Sequence, residues 1–230
     1  KPAPLTSDND YLRRITLDLA DRLPSPADAT LFELNPDSRK RSRLVTKLLE
    51  SPDFSAAQSR YWRDVIFSRA TEVRSRLMIP AFQGWMTEQF EQRRSWDKIV
   101  ESLLTAKGDV RENGATALLF AQGGEAAELA AETSRIFLGI QIQCANCHDH
   151  PTDRWKRIQF HQLAAFFPRV RVRPVRDSTP RTFEVVSFDS GPRASRRPSS
   201  SRFIASIFQR YDRNRDGKLV AAEVASSRLA

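Results

Sequence analysis

The chain's two cysteines fall in a C-x-x-C-H pattern, Cys144-Ala145-Asn146-Cys147-His148. Two thiols at this spacing can form thioether bonds to the two vinyl groups of one haem, and the histidine that follows can bind the iron. The same side chains also allow other chemistry. Cys144 and Cys147 with two of the three histidines (His148, His150 and His161) would supply the four ligands of a zinc site. The third interpretation is that the cysteines are simply buried and hold no ligand, so the sequence leaves three interpretations open.

A haem at this motif would need a sixth ligand from elsewhere in the chain. His150 lies only two residues beyond His148 and cannot easily reach the opposite face of the same ring. His161 belongs to the next predicted helix and is the better candidate. Met78 and Met86 are further candidates, although methionine at helical spacing is more typical of a hydrophobic core.

A second ligand-rich segment, residues 212–223, matches the calcium-binding loop of an EF-hand. The oxygen ligands at the expected positions come from Asp212, Asn214, Asp216, the backbone carbonyl of Lys218, and Glu223. Gly217 permits the sharp turn, and apolar residues at helical spacing flank the loop. Three basic side chains within the loop predict weak binding, suited to the calcium concentration outside cells. Because EF-hands usually pair, we expect a partner beyond Ala230, in a longer protein of which this chain is a piece.

The elements that must position the C-x-x-C-H motif are predicted to be helices. Apolar residues before residue 170 recur with a period near 3.6, which predicts a mainly α fold. Residues 125–143 are expected to form the helix that leads into the motif. Residues 157–167 are expected to form the next helix, with Phe160, Leu163, Ala164 and Phe167 on its buried side. Residues 108–124 contain four glycines and are predicted to be a loop.

Composition divides the chain into three parts. We expect a helical domain over 1–168, an Arg/Pro/Ser-rich linker or excursion over 169–201, and an EF-hand unit over 202–230 that is cut short at its end. Only residues 182–188 of the middle part have the composition of a strand. The whole chain has a net charge of +9, and residues 169–230 hold 14 basic and 6 acidic side chains. The positive charge is thus concentrated outside the folded helical domain, which argues against a nucleic-acid partner.

Apolar runs in the chain are far shorter than the roughly 18–20 residues that a membrane span needs, so no span is expected. The chain also lacks the composition of collagen or of a disulfide-rich scaffold, with 8 Gly and 2 Cys.

Several segments together resemble the cytochrome-like domain family DUF1549, which occurs in large exported proteins of planctomycete bacteria. They are the run from Ile136 through the C-x-x-C-H motif to Pro151, then Asp153-Arg154-Trp155 and Leu163-Ala164-Ala165-Phe166-Phe167, and the opening Tyr11-Leu12-Arg13-Arg14-Ile15-Thr16-Leu17-Asp18-Leu19 with Leu23-Pro24-Ser25-Pro26. The resemblance covers about residues 8–170. His148 and His150 match family positions, whereas His161 stands where the family tends to have tyrosine.

The resemblance implies a mostly helical, periplasmic or extracellular domain with a covalent haem. With the motifs, it leads us to expect a haem c and calcium-binding module with a role in electron transfer or haem-linked redox chemistry. Its partner would be a redox protein or another domain of the same longer cell-surface chain. Two alternatives stay open: a non-enzymatic scaffold with structural zinc at the Cys/His cluster, and an accessory domain of a polysaccharide-degrading assembly.

Overall fold

The computed structural model describes residues 4–176 and 178–188. The chain divides into two units, residues 1–187 and 188–230, and the architecture below is that of the first. Its α-helices, in chain order, are α1 (Asp8–Ala20), α2 (Pro26–Leu34), α3 (Lys40–Leu49), α4 (Pro52–Phe67), α5 (Ile79–Glu91), α6 (Trp96–Thr105), α7 (Ala117–Ala121), α8 (Ala126–Thr133) and α9 (Arg157–Ala164). Shorter turns of 3₁₀ helix cover Val73–Met78, Gly114–Thr116 and Gln143–Asn146, and a π-helical turn covers Ser134–Leu138. The expectation of a mainly α fold is confirmed.

Local sequence sets where the first two helices begin and end. Ser25 is the N-cap of α2: its hydroxyl accepts the backbone N–H of Asp28 at 3.1 Å, and the Asp28 carboxylate accepts the backbone N–H of Ser25 at 3.2 Å. This reciprocal pair is a capping box, and Pro26 occupies the first helical position, where a missing N–H costs nothing. The preceding helix α1 ends at Asp21, which has the left-handed backbone conformation.

The hydrophobic core is built mainly from the middle of the chain. Most of its fully buried members come from helices α4 to α8 and include Ile66, Phe82, Leu103, Phe120 and Leu129, each 0% exposed. Helices α4 and α5 pack against each other, and α5 also packs against the 3₁₀ turn Gly114–Thr116. A Cβ atom on Gly114 would collide with the Ala81 carbonyl group, so this close approach requires glycine.

Residues 108–124 are therefore not the loop that their glycines predict. They contain a short strand, β1 (Gly108–Asp109), the 3₁₀ turn and the whole of α7, whose five residues are all buried. The glycines serve positive backbone angles and close packing within this segment, rather than an exposed turn. Local composition suggested a loop because it does not record what packs against the segment.

Part of the segment expected to be a linker forms a small antiparallel sheet. Strands β2 (Val170–Pro174) and β3 (Phe183–Ser187) pair in the register Val172 opposite Val185, and β3 also pairs with β1. The strand order is β1-β3-β2. The candidate strand at 182–188 is confirmed. Strand β2 was not expected, because the arginine-rich composition indicates a linker, although alternating valine and arginine is the pattern of a half-buried strand. No described helix has the length and apolar character needed to cross a bilayer.

Candidate functional site

The backbone that delivers the C-x-x-C-H motif does not continue as the expected helix. Helix α8 passes into the π-helical turn, which ends at Gly139, a residue with φ +68°. The hydroxyl of Ser134 donates to the carbonyl oxygen of Ile140 at 2.9 Å, and the Ile140 N–H donates to the Ser134 carbonyl oxygen at 3.1 Å. These two hydrogen bonds close the turn and redirect the chain. The prediction of a helix over 125–143 is therefore wrong beyond residue 138, and π-helical turns are frequent beside functional sites.

A buried ion pair fixes this turn to the rest of the domain. Glu132, whose side chain is 5% exposed, forms hydrogen bonds to Arg135 at 2.6–3.0 Å. The same guanidinium donates to the backbone carbonyl of Val65 in α4 at 2.9 Å. The segment preceding the cysteines is thus tied to a core helix by a charge-assisted contact.

The two cysteines lie on the 3₁₀ turn Gln143–Asn146 and directly after it. Side chains three residues apart in such a turn point the same way. Ile142 and Ala145, 6% and 0% exposed, face the core, while Cys144 and Cys147 are exposed free thiols. Both thiols are thus exposed, three residues apart at the end of one turn, and are open to reaction with a ligand.

The backbone gives the two neighbouring histidines opposite proton placements. The Nδ1 atom of His148 lies 2.7 Å from the Asp149 carbonyl oxygen. A carbonyl can only accept, so Nδ1 carries the proton, and in the neutral ring Nε2 keeps its lone pair. At His150, Nδ1 instead accepts the Thr152 N–H at 3.3 Å, so in the neutral ring Nε2 carries the proton. His148 is therefore the ring prepared to bind a metal through Nε2.

Asp149 joins the motif to the start of helix α9. Its carboxylate accepts the backbone N–H of Arg157 at 2.9 Å and pairs with the ammonium of Lys156 at 3.1 Å. The hydrogen bond from the Arg157 N–H has the larger effect and the contact with Lys156 the smaller, and both hold the pKa of Asp149 below its usual range. The His150 N–H also donates to the Trp155 carbonyl oxygen at 2.8 Å. Sequence reasoning missed Asp149, because an acidic side chain eight residues before a helix start does not by itself predict such a contact.

Helix α9 places His161 on its outer side. The predicted inner face is confirmed: Phe160 and Phe167 are buried, and Leu163 and Ala164 pack against the core. His161 is exposed, and its ring meets that of Phe160 edge-on at 5.6 Å. Helix α9 packs against the 3₁₀ turn that carries Cys144. His161 thus lies on an element next to the motif, with a solvent-exposed ring.

The remaining ligand candidates are placed differently. Met78 and Met86 are each 0% exposed within the core, so neither can reach an exposed ligand without unpacking the domain. Within residues 4–176 and 178–188, no three His, Cys, Asp or Glu side chains are gathered in a way that could hold a metal ion. The calcium-loop residues Asp212, Asn214, Asp216, Lys218 and Glu223 lie outside the described residues.

The residues of the motif fit a covalently attached haem. Two exposed free thiols at the end of one turn can be alkylated without disturbing the core, and His148 offers a free Nε2 held by a backbone hydrogen bond. Attachment through two bonds needs no enclosed pocket, because the covalent link replaces much of the affinity that burial would supply.

Comparison with known proteins gives one match. Residues 1–172 match the model of a family described as PSCyt2, protein of unknown function (DUF1549). The matched region contains the C-x-x-C-H motif and helices α1 to α9. No curated protein and no solved structure matches the chain.

Proposed function

The chain belongs to the DUF1549 family, and on this premise we propose that Cys144, Cys147 and His148 hold a haem c. The domain would transfer electrons or take part in haem-linked redox chemistry within a larger cell-surface protein. Its partner is a redox protein or another domain of the same longer chain. The observation that carries the proposal is the hydrogen bond from His148 Nδ1 to the Asp149 carbonyl oxygen, which frees Nε2 beside two exposed thiols.

Each residue of the motif has a separate task. Cys144 and Cys147 would form the thioether bonds, and the buried Ile142 and Ala145 anchor the turn before them. His148 would hold the iron through Nε2, and the Asp149 carbonyl oxygen accepts from Nδ1 and fixes the orientation of the ring. When bound, the haem supplies one-electron exchange between its two iron oxidation states.

Residues 212–223 are proposed to bind calcium as an EF-hand. The support is the sequence alone: oxygen ligands at the required spacing, a glycine at the turn and flanking apolar residues. Both proposals suit an exported protein, periplasmic or extracellular. Covalent haem attachment and a loop of low calcium affinity each belong to compartments outside the cytoplasm.

The test of the haem proposal is expression in a host that has cytochrome c assembly. The matured protein should show a Soret band, and its haem should stay with the polypeptide in acid-acetone, because thioether bonds survive unfolding. The double variant Cys144→Ser, Cys147→Ser should lack the band. Haem extracted by acid-acetone would contradict covalent attachment. Stoichiometric zinc without a Soret band would favour the scaffold with a structural metal.

A further inference from the structure

A second potential site lies on a part of the domain that the haem proposal does not use. A cavity of about 550 Å³ opens between the end of α6, helix α8, the end of α9 and strands β2 and β3. Pockets for small molecules have about 300–1,000 Å³. None of residues 144–148 lines this cavity. Its walls are mainly apolar and include Leu104, Leu119, Leu163, Phe166, Val170 and Val185.

One polar side chain in the cavity wall lacks a partner. Thr133 lines the cavity and is only 8% exposed. Its Oγ1 atom is buried and has no hydrogen-bond partner among the residues that the structure describes. Protein interiors pair nearly all such groups. Because the Oγ1 atom is buried, it has almost no surface open to the cavity, so a ligand there meets no polar side-chain atom of Thr133.

The mouth of the cavity is positively charged. Lys107 and Arg169 line it and are both exposed, and neither forms an ion pair with a carboxylate in the described part of the chain. Phe166 beside them is 80% exposed. Two cations next to an uncovered aromatic ring complement a molecule that has an anionic head and an apolar body.

We propose that this cavity binds a small amphipathic carboxylate. The carboxylate lies between Lys107 and Arg169 at the mouth, and the apolar body packs against the walls. Size, wall chemistry and charge at the mouth each favour this class of ligand. The inference is independent of whether the C-x-x-C-H motif carries haem.

Titration calorimetry with the full chain tests the charged mouth, using decanoate and its neutral analogue decanol as probes. Decanoate should bind with one-to-one stoichiometry and at least about tenfold more tightly than decanol, since hydrogen bonds to charged groups are the strong ones. The double variant Lys107→Gln, Arg169→Gln should remove that preference. Lys98→Gln, an exposed change on α6 outside the cavity, should keep it.

The apolar interior is tested with 10-hydroxydecanoate, which has a polar group at the far end of the same chain. It should bind less tightly than decanoate does, because its terminal hydroxyl would be buried against apolar walls without a hydrogen-bond partner. Equal or tighter binding of 10-hydroxydecanoate would overturn the proposed apolar interior. Absence of decanoate binding, equal binding of decanol, or a dimer by light scattering that excludes decanoate would each overturn the site.

Discussion

The Nδ1 atom of His148 lies 2.7 Å from the carbonyl oxygen of the next residue, Asp149. This contact decides which nitrogen of the ring is available, because the carbonyl can only accept a hydrogen bond. Two residues further on, the Nδ1 atom of His150 faces a backbone donor, the N–H of Thr152. Two histidines in the same exposed segment are thus made chemically different by the backbone around them.

The first prediction follows from this difference. In haem-loaded protein, His148→Ala should remove the proximal ligand, so that the haem stays attached but its optical and electron paramagnetic resonance spectra change spin state. His150→Ala is the matched control and should leave the spectra unchanged. The opposite result would assign the iron ligand to His150 and contradict the proposed proton placement.

His161 is the candidate for the sixth position, since it is exposed on α9 while the methionines are in the core. If it binds the iron, His161→Ala should convert a six-coordinate low-spin spectrum into a high-spin one. Gln162→Ala, a neighbouring exposed position on the same helix, serves as the control. An unchanged spectrum after His161→Ala would remove this residue and point to a ligand from a partner chain.

The Glu132–Arg135 pair gives a prediction about stability. Arg135→Ala leaves a nearly buried carboxylate without its cation, and breaking such a pair typically costs about 3–5 kcal/mol. Urea unfolding monitored by circular dichroism should show this loss in the free energy of unfolding. Lys98→Ala breaks the 2.8 Å pair with Glu101, whose partners are 55% and 60% exposed, and should leave the midpoint unchanged. A small effect of Arg135→Ala would mean that Glu132 is neutral or hydrated in the folded domain.

Asp8 gives a prediction about pH. Hydrogen bonds from Lys40 and then Arg41 lower its pKa below 3.8, and the pairs at 2.7 Å and 2.8 Å join α1 to α3. Because the folded-state pKa is depressed, the stabilisation is complete above the unfolded-state value and is lost as pH falls through the lower folded-state value. The melting temperature of Asp8→Asn should therefore lie below that of the unmodified protein at pH 7 and approach it below about pH 4.

The control for that experiment is Asp18→Asn, on the same helix and outside the ion pairs of the described residues. It should show no comparable change between pH 7 and low pH. If Asp8→Asn differs from the unmodified protein by the same amount at both pH values, the effect is due to packing rather than to charge.

The calcium proposal predicts that Glu223→Gln weakens binding severely, because this residue supplies the only bidentate ligand and one of the loop's three negative charges. Calorimetry on the full chain measures the effect, and Glu184→Gln is a control outside the loop. Equal calcium binding by both variants and the unmodified protein would contradict the EF-hand assignment. A shift of the haem spectrum on adding calcium would show that the two sites are coupled.

The sequence alone was sufficient to predict several features that depend on neighbouring residues. Ser25, Pro26 and Asp28 are residue types that favour a helix start, and helical spacing predicted the burial of Phe160 and Phe167, although α9 ends at Ala164. Both depend on residues within one or two turns of each other. The C-x-x-C-H motif and the family resemblance were likewise visible in the sequence, because they concern residue types at fixed spacing.

Contacts between distant segments decided the rest. The glycines of 108–124 predict a loop, yet the close approach of α5 requires a glycine at 114. Strand β1 in the same segment pairs with a strand more than seventy residues later. The availability of His148 Nε2 depends on where a single carbonyl group points, and the carboxylate of Asp149 reaches the start of α9. Periodicity and composition report what a segment prefers by itself, whereas hydrogen-bond partners and proton placement depend on what the fold brings beside it.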